Sequence, residues 1–249
     1  MIGLGIGLGL PAYNFVQSFT PEDCDSVYIW YDLYPAPNPT MNLSFDQVLS
    51  FSSKGIDKQA AARTINTAAY IDGNEMFMPY TAFYETQSVV SFVDTQDGII
   101  YLVMRKADWY DGICGTFLRV KNDNDDIWIQ AGIATDGEGN TFLQISIEDA
   151  ADGDTTGATS FTLPIRQHGD FIFLELKRTS SPHAVIVLDA LTGEQLADLA
   201  TQKGLYGPWY SMSLSGLNHF LHEIIWQSGY PENEIEIQAY FMNKYSRLL

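Results

Sequence analysis

The chain has 249 residues, 46% of them hydrophobic and 18% charged, which supplies a large core and argues against disorder. Acidic residues outnumber basic ones 31 to 13, for a net charge of -18. That balance argues against nucleic acid as a partner, because phosphate binding needs clustered Lys and Arg. It also works against direct contact with anionic membranes or polyanionic sugars.

The chain opens on an apolar run. Gly alternates with Leu or Ile from Gly3 to Leu10, and no charged side chain precedes Glu22. Ile2, Leu4, Ile6, Leu8 and Leu10 have no core of their own in such a segment. Each glycine costs backbone entropy on ordering, and bare aliphatic side chains are a liability in water. The run lacks the basic start and small-residue cleavage site of a signal peptide. It is also half the ~20 apolar residues of a membrane span, so no membrane insertion is expected. Residues 1–19 are therefore expected to form an extended arm that packs against another subunit. A strand added to the chain's own sheet is the other reading.

Beyond the arm most of the chain reads as strands. Short runs rich in Val, Ile, Phe, Tyr and Trp cover Val27–Tyr34, Ser88–Asp94, Gly98–Arg105, Gly115–Lys121, Ile127–Ala134 and Thr141–Glu148. They continue through Phe171–Arg178, Ala184–Asp189, Trp209–Leu214 and Phe220–Trp226. Alternation is plain in Phe142–Glu148, where Leu143, Ile145 and Ile147 share one face, and in Ser211–Ser215, where Met212 and Leu214 sit between serines. Tyr34–Thr40, with Pro35, Pro37 and Pro39, is a stiff connector. Asp136–Asn140 and Leu191–Glu194 are hairpin turns. Such a series predicts an all-β, two-sheet sandwich or jelly roll over residues 20–249. A helix closes it: Pro231 suits the first position, Glu232 and Glu234 complement the dipole, and Ile235, Ala239 and Met242 form an apolar stripe.

Candidate chemistry is sparse. Cys24 and Cys114 are the only cysteines and form no CxxC motif, so two reduced, buried thiols are expected, with a single bridge between them as the other reading. Retaining glycosidases need two carboxyl groups roughly 5–5.5 Å apart. The nearest string, Glu232-Asn-Glu234-Ile-Glu236, is better explained by a helix start. His219, His222 and Glu223 form an H-x-x-H-E string, but on a strand His219 and Glu223 share one face and His222 takes the other, so they cannot converge on a metal. The acidic stretches Asn122–Asp126 and Glu148–Asp154 lack the spacing of an EF-hand loop. No metal and no cofactor is expected. The glycan-binding candidate is Asp108, Trp109, Tyr110 and Asp111, where aromatic rings are flanked by carboxylates in a loop. Gly207-Pro-Trp-Tyr210 ranks second.

The end of the chain carries a resemblance. Phe220-Leu-His-Glu-Ile-Ile-Trp226, followed by the acidic-start helix that runs into Asn-Lys-Tyr245, resembles the close of concanavalin A-like (laminin G-like) jelly-roll domains of bacteriophage proteins. The Gly-Leu-Gly-Leu opening is similar to that of phage virion and tail-associated proteins with this domain. Val27-Tyr-Ile-Trp-Tyr-Asp32 is similar to their opening strand. Leu49–Ala60 is similar to their Asp-Lys-Ser-Gly-x-Gly-x-His-Ala segment, but departs from it in the glycines and lacks the histidine. The resemblance implies a non-enzymatic virion structural protein, either capsid decoration or a tail or fibre appendage, which assembles in the host cytoplasm. Its expected partners are other virion proteins through the arm, further copies of itself, and a host-surface glycan. The alternative is a glycan-degrading hydrolase on the same fold.

Overall fold

A computed structural model describes residues 19–58, 60–63, 67–86, 98–107, 115–122, 127–135, 141–149, 160–164, 170–180, 183–200, 209–229 and 233–249. The arm residues Ile2, Leu4, Ile6, Leu8 and Leu10 lie outside these, as does the expected strand Ser88–Asp94. In chain order the first strands are β1 (Val27–Asp32), β2 (Met41–Ser44), β3 (Gln47–Ser52), β4 (Ala60–Arg63), β5 (Ala69–Asp72), β6 (Glu75–Met78) and β7 (Phe83–Thr86). Then come β8 (Gly98–Lys106), β9 (Gly115–Asn122), β10 (Ile127–Thr135), β11 (Thr141–Asp149), β12 (Ser160–Pro164) and β13 (Phe171–Ser180). The series ends with β14 (His183–Asp189), β15 (Gln195–Ala200), β16 (Trp209–Ser215), β17 (His219–Ser228) and the helix α1 (Glu234–Tyr245).

The architecture is an all-β sandwich in which every described pairing is antiparallel. Sheet one runs β1-β17-β8-β13-β14-β15. Sheet two runs β12-β11-β10-β9-β16-β7-β4-β3-β2. At β3 it forks. The start of that strand pairs with β5, which leads through β6 to the start of β17 and so bridges to sheet one.

Between the sheets lies the main core, with Ile29, Tyr31, Phe51, Tyr84, Leu102, Ile145, Leu174 and Trp226 buried in it. A second core fills the space between the outer face of sheet one and α1, and includes Trp30, Tyr101, Phe173, Ile225 and Phe241. Two cores explain the apolar runs of β8 and β17. Their inward residues face the sandwich and their outward ones face the helix, so neither shows the alternation of a half-wet strand. Turn chemistry agrees with the sequence at Leu191–Glu194, where Gly193 has a φ of 73° and Asp189 Oδ1 accepts from Leu191 N at 2.8 Å.

One expectation fails in detail. Ile235 is 76% exposed and Met242 50%, and Ala239 is also exposed, so they are not the buried stripe of α1. Ile237, Phe241 and Tyr245 are buried instead, at spacings of four residues. Both sets have helical periodicity. The aromatic rings fix the rotation because they fill the gap over sheet one.

Candidate functional site

The outer face of sheet two carries a line of residues that is polar at every position but Ala62. Adjacent in register, strand by strand, are Ser50, Ala62, Glu85, Ser213, Arg119, Gln130 and Ser146. Their sequence neighbours Ala61, Tyr84, Leu118, Ile129, Ile145, Met212 and Leu214 point the other way into the core. Arg119, Glu85 and Ser146 are half-buried, while Gln130 and Ser213 lie beneath them.

Gln130 organises the middle of the strip. Its Oε1 accepts from Arg119 Nε at 3.1 Å, Arg119 Nη2 at 2.9 Å and Thr116 Oγ1 at 3.0 Å. A buried amide oxygen with three donors is rigid, so the guanidinium is presented in a fixed orientation. The strip thus lines up a carboxylate, a guanidinium, an amide and hydroxyls at strand spacing on one partly open face. Groups of these types both accept and donate hydrogen bonds.

The H-x-x-H-E string behaves differently from its expected alternation. A bulge between Leu221 and Glu223 turns His222 to the same side as Glu223, towards α1, while His219 packs near Phe117 on the sandwich side. His222 stacks on Tyr34 at 4.7 Å and meets Glu75 Oε1 at 2.8 Å. Among the described residues, no group of three or more His, Cys, Asp and Glu could hold a metal.

Glu223 is a structural anchor. Its Oε1 accepts from Trp30 Nε1 at 2.6 Å and Tyr240 OH at 2.7 Å, and its Oε2 from Lys244 Nζ at 2.7 Å and Tyr245 OH at 2.9 Å. Lys244 also donates to Asp32 Oδ1 at 2.6 Å. Burial works to lower the Lys244 pKa, but Glu223 and Asp32 hold it above its ordinary value. With every acceptor engaged and solvent excluded, this carboxylate ties α1 to sheet one and has no site for a substrate.

A cleft of about 410 Å³ opens beside Cys24, Val27, Lys54 and Ile56. Burial pushes the Cys24 thiol up to about 11, so it is no nucleophile at neutral pH. Cys24 is a free thiol, and Cys114 lies outside the described residues. So do Asp108, Trp109, Tyr110 and Asp111. In the second aromatic candidate, Gly207 and Pro208 fall outside as well, and Trp209 begins β16. Sequence reasoning missed Arg119, Gln130, Ser213 and Glu85. Each sits at an outward position of an alternating strand, but only register shows that they line up.

No protein-family model matches the chain, and no curated protein matches its sequence. Solved structures share the fold. The receptor-binding domain of botulinum neurotoxin mosaic serotype C/D aligns with a TM-score of 0.59 at 7% identity, over 90% of this chain and 52% of that one. An arabinofuranosidase complexed with arabinofuranosyl-alpha-1,2-xylobiose aligns with a TM-score of 0.52 at 11% identity, over 78% of this chain and 51% of that one. The chain thus spans about half the length of these proteins. A tailspike of Escherichia coli O157:H7 bacteriophage CAB120 aligns at a TM-score of 0.43 and 9% identity, over 68% of this chain and 24% of that one, too low to carry an argument.

The arabinofuranosidase likeness overturns the non-enzyme expectation. An arabinofuranosidase shares this sandwich, so the fold gives no ground for excluding an enzyme. The expectation rested on a missing single-strand carboxylate motif. Groups on a sandwich face are assembled by register across strands, which such a motif does not see.

Proposed function

We propose that the chain is a carbohydrate-active protein of concanavalin A-like fold that binds a glycan across the polar strip of sheet two and hydrolyses it. The observation that supports this is the register line Glu85–Ser213–Arg119–Gln130–Ser146 on the half-exposed face. Arg119, held from beneath by Gln130, positions sugar hydroxyls, and Glu85 supplies a carboxylate for proton transfer or nucleophilic attack. Hydrolysis needs a second carboxyl group within about 10 Å of Glu85, and Glu148, four strands away on β11 and so roughly 19 Å distant, is too far to be it. Arabinoxylan is the first probe because the arabinofuranosidase of this fold was solved with an arabinose-bearing xylobiose. Reducing-sugar release should be measured on arabinoxylan and on a panel of bacterial surface polysaccharides. Glu85→Gln is expected to lower turnover at least 100-fold with an unchanged melting temperature. Equal turnover by wild type and Glu85→Gln, or no cleavage of any polysaccharide by the wild type, would remove the hydrolase reading.

The sequence resemblance supports a particle-borne setting for this activity, either on a phage head or in a tail or fibre appendage. In that reading Ile2, Leu4, Ile6, Leu8 and Leu10 anchor the chain to other virion proteins by strand addition, and several copies act together. Removing residues 1–18 should abolish incorporation into particles, and normal incorporation would refute the anchor.

A further inference from the structure

The fork in sheet two lines up a second set of side chains on the bridge to sheet one. From β3 through β5, β6 and β17 to β8, the register runs Gln47–Tyr70–Phe77–Phe220–Arg105. Ring centroids of Tyr70 and Phe77 are 5.0 Å apart, and those of Phe77 and Phe220 are 5.1 Å apart. The ladder therefore follows the ~4.7–4.9 Å spacing of neighbouring strands. Its inner end is closed by Arg105, whose guanidinium lies 4.0 Å over the Phe220 ring and is held by Glu75 at 2.7 and 2.5 Å.

The outer end is open. Tyr70 is 40% exposed, and Phe45, at the turn between β2 and β3, is 96% exposed. Phe45 also has a φ of 57°, a left-handed backbone that bulky residues rarely adopt. The turn lies beside β5, where Asp46 O accepts from Ile71 N at 2.9 Å. Backbone strain and a bare phenyl ring thus fall on one residue, in a two-residue hairpin turn where Asn or Gly would relieve both. Nothing in the packing of the fold requires that ring.

Carboxylates run alongside. Asp72 pairs with Glu75 in register, each two residues along its strand from Tyr70 and Phe77, and so on the same face. Asp46 follows Phe45 in the turn, and Asp170 is exposed just before β13. The guanidinium of this region is already committed to Glu75.

We propose that this aromatic bridge is a holding surface for a neutral sugar chain. Phe45 and Tyr70 stack on the apolar faces of successive rings, while Asp46 and Asp72 accept their hydroxyl protons. The acidic border disfavours an anionic glycan. It also disfavours a protein partner, which would have to desolvate these carboxylates or supply cations for each. The proposal deepens the reading of the protein as carbohydrate-active and gives the bridge a different task. The strip on sheet two cleaves, and the bridge retains the polymer.

The test uses the full chain in affinity electrophoresis through gels cast with arabinoxylan, xylan, mixed-linkage β-glucan and bacterial surface polysaccharides. Wild type should be retarded by at least one neutral polymer. Phe45→Ala and Tyr70→Ala should each weaken that retention at least tenfold, and Tyr70→Phe should keep it. Both alanine variants should fold normally, because the two rings are exposed. Retention unchanged in both alanine variants overturns the bridge as a holding surface, and reducing-sugar release by wild type would leave the cleavage reading standing. Retention lost in the variants with no turnover by wild type supports the bridge and removes the cleavage reading. No retention of wild type by any polymer overturns the proposal. So does a dimer in solution that Phe45→Ala converts to monomer without affecting retention.

Discussion

Glu175 carries an uncompensated burial that can be measured as a pH-dependent stability. It lies on the helix-facing side of β13, in register with Tyr101 of β8 and Leu188 of β14, and it is fully buried. Neither carboxyl oxygen has a hydrogen-bond partner. Burial and then the charge of Glu234 raise its pKa from 4.5 to about 7, against the pull of Lys177. The folded protein therefore holds a proton that the unfolded chain releases at about 4.5. Stability from this group is greatest below that pH and falls as pH rises towards 7. At 1.36 kcal/mol per pH unit, the loss reaches about 3 kcal/mol at neutral pH. Glu175→Gln keeps the shape of the protonated acid and cannot ionise. Urea unfolding should give equal stabilities for the two proteins near pH 4.5. The variant should then gain progressively, to about 3 kcal/mol above pH 7, or roughly 6–12 °C in melting temperature. A difference independent of pH, or a variant less stable than wild type at pH 8, would refute the argument.

Three further outcomes follow from particular contacts. Glu75 has the opposite sign. Burial works against its ionisation, but hydrogen bonds from His222 and Arg105 hold its pKa down at about 2. Its stabilisation is complete above about 4.5 and lost as pH falls towards 2, so Glu75→Gln should weaken the protein at pH 7 and flatten its acid-unfolding curve over that range. Lys244→Met leaves Glu223 and Asp32 without their shared cation and should cost about 3–5 kcal/mol in urea unfolding. Adding Glu223→Gln to Lys244→Met should recover part of the loss, and no recovery would mean that the charge is not the cause. Gly132→Ala would drive a Cβ into the Gly115 carbonyl, at the bulge where β9 and β10 shift register. Because the neighbour is backbone, a loss of about 1–3 kcal/mol is expected by calorimetry, and no loss would show that the strands separate freely.

The fold class was legible because long strands carry strong patterns. The strands at Gly98–Lys106, Gly115–Asn122, Ile127–Thr135 and Thr141–Asp149 stand close to where alternation and β-branched content put them. The strands between Met41 and Thr86 were missed. They are four to six residues long, and Ala60-Ala-Ala-Arg63 has neither β-branched nor aromatic residues, so only pairing with β3 and β7 makes it a strand. The rotation of α1 was misread because two stripes were available, and the sheet beneath chooses between them. The strip was hidden for a related reason. Ser213, Arg119 and Gln130 are unremarkable singly, and nothing in a linear sequence says that they are neighbours.

The same packing argues where a ligand can reach the protein. The central strands of sheet one are covered on both faces, by sheet two on one side and α1 on the other, so the polar groups of that second core can only be structural. Glu223 illustrates the point: four donors satisfy it, and adding a substrate hydroxyl would mean breaking a charged hydrogen bond in a dry site. Arg119 and Glu85 keep partial exposure on a face that no described element covers. On such a face a ligand hydroxyl that takes the place of water costs little, because a hydrogen bond to solvent is replaced by a similar one. Gln130 underneath accepts from Arg119 Nε and Nη2 and so fixes where the guanidinium stands on this face. With sheet one sealed by α1, the outer face of sheet two and the bridge where the two sheets meet are the described faces that stay open to solvent.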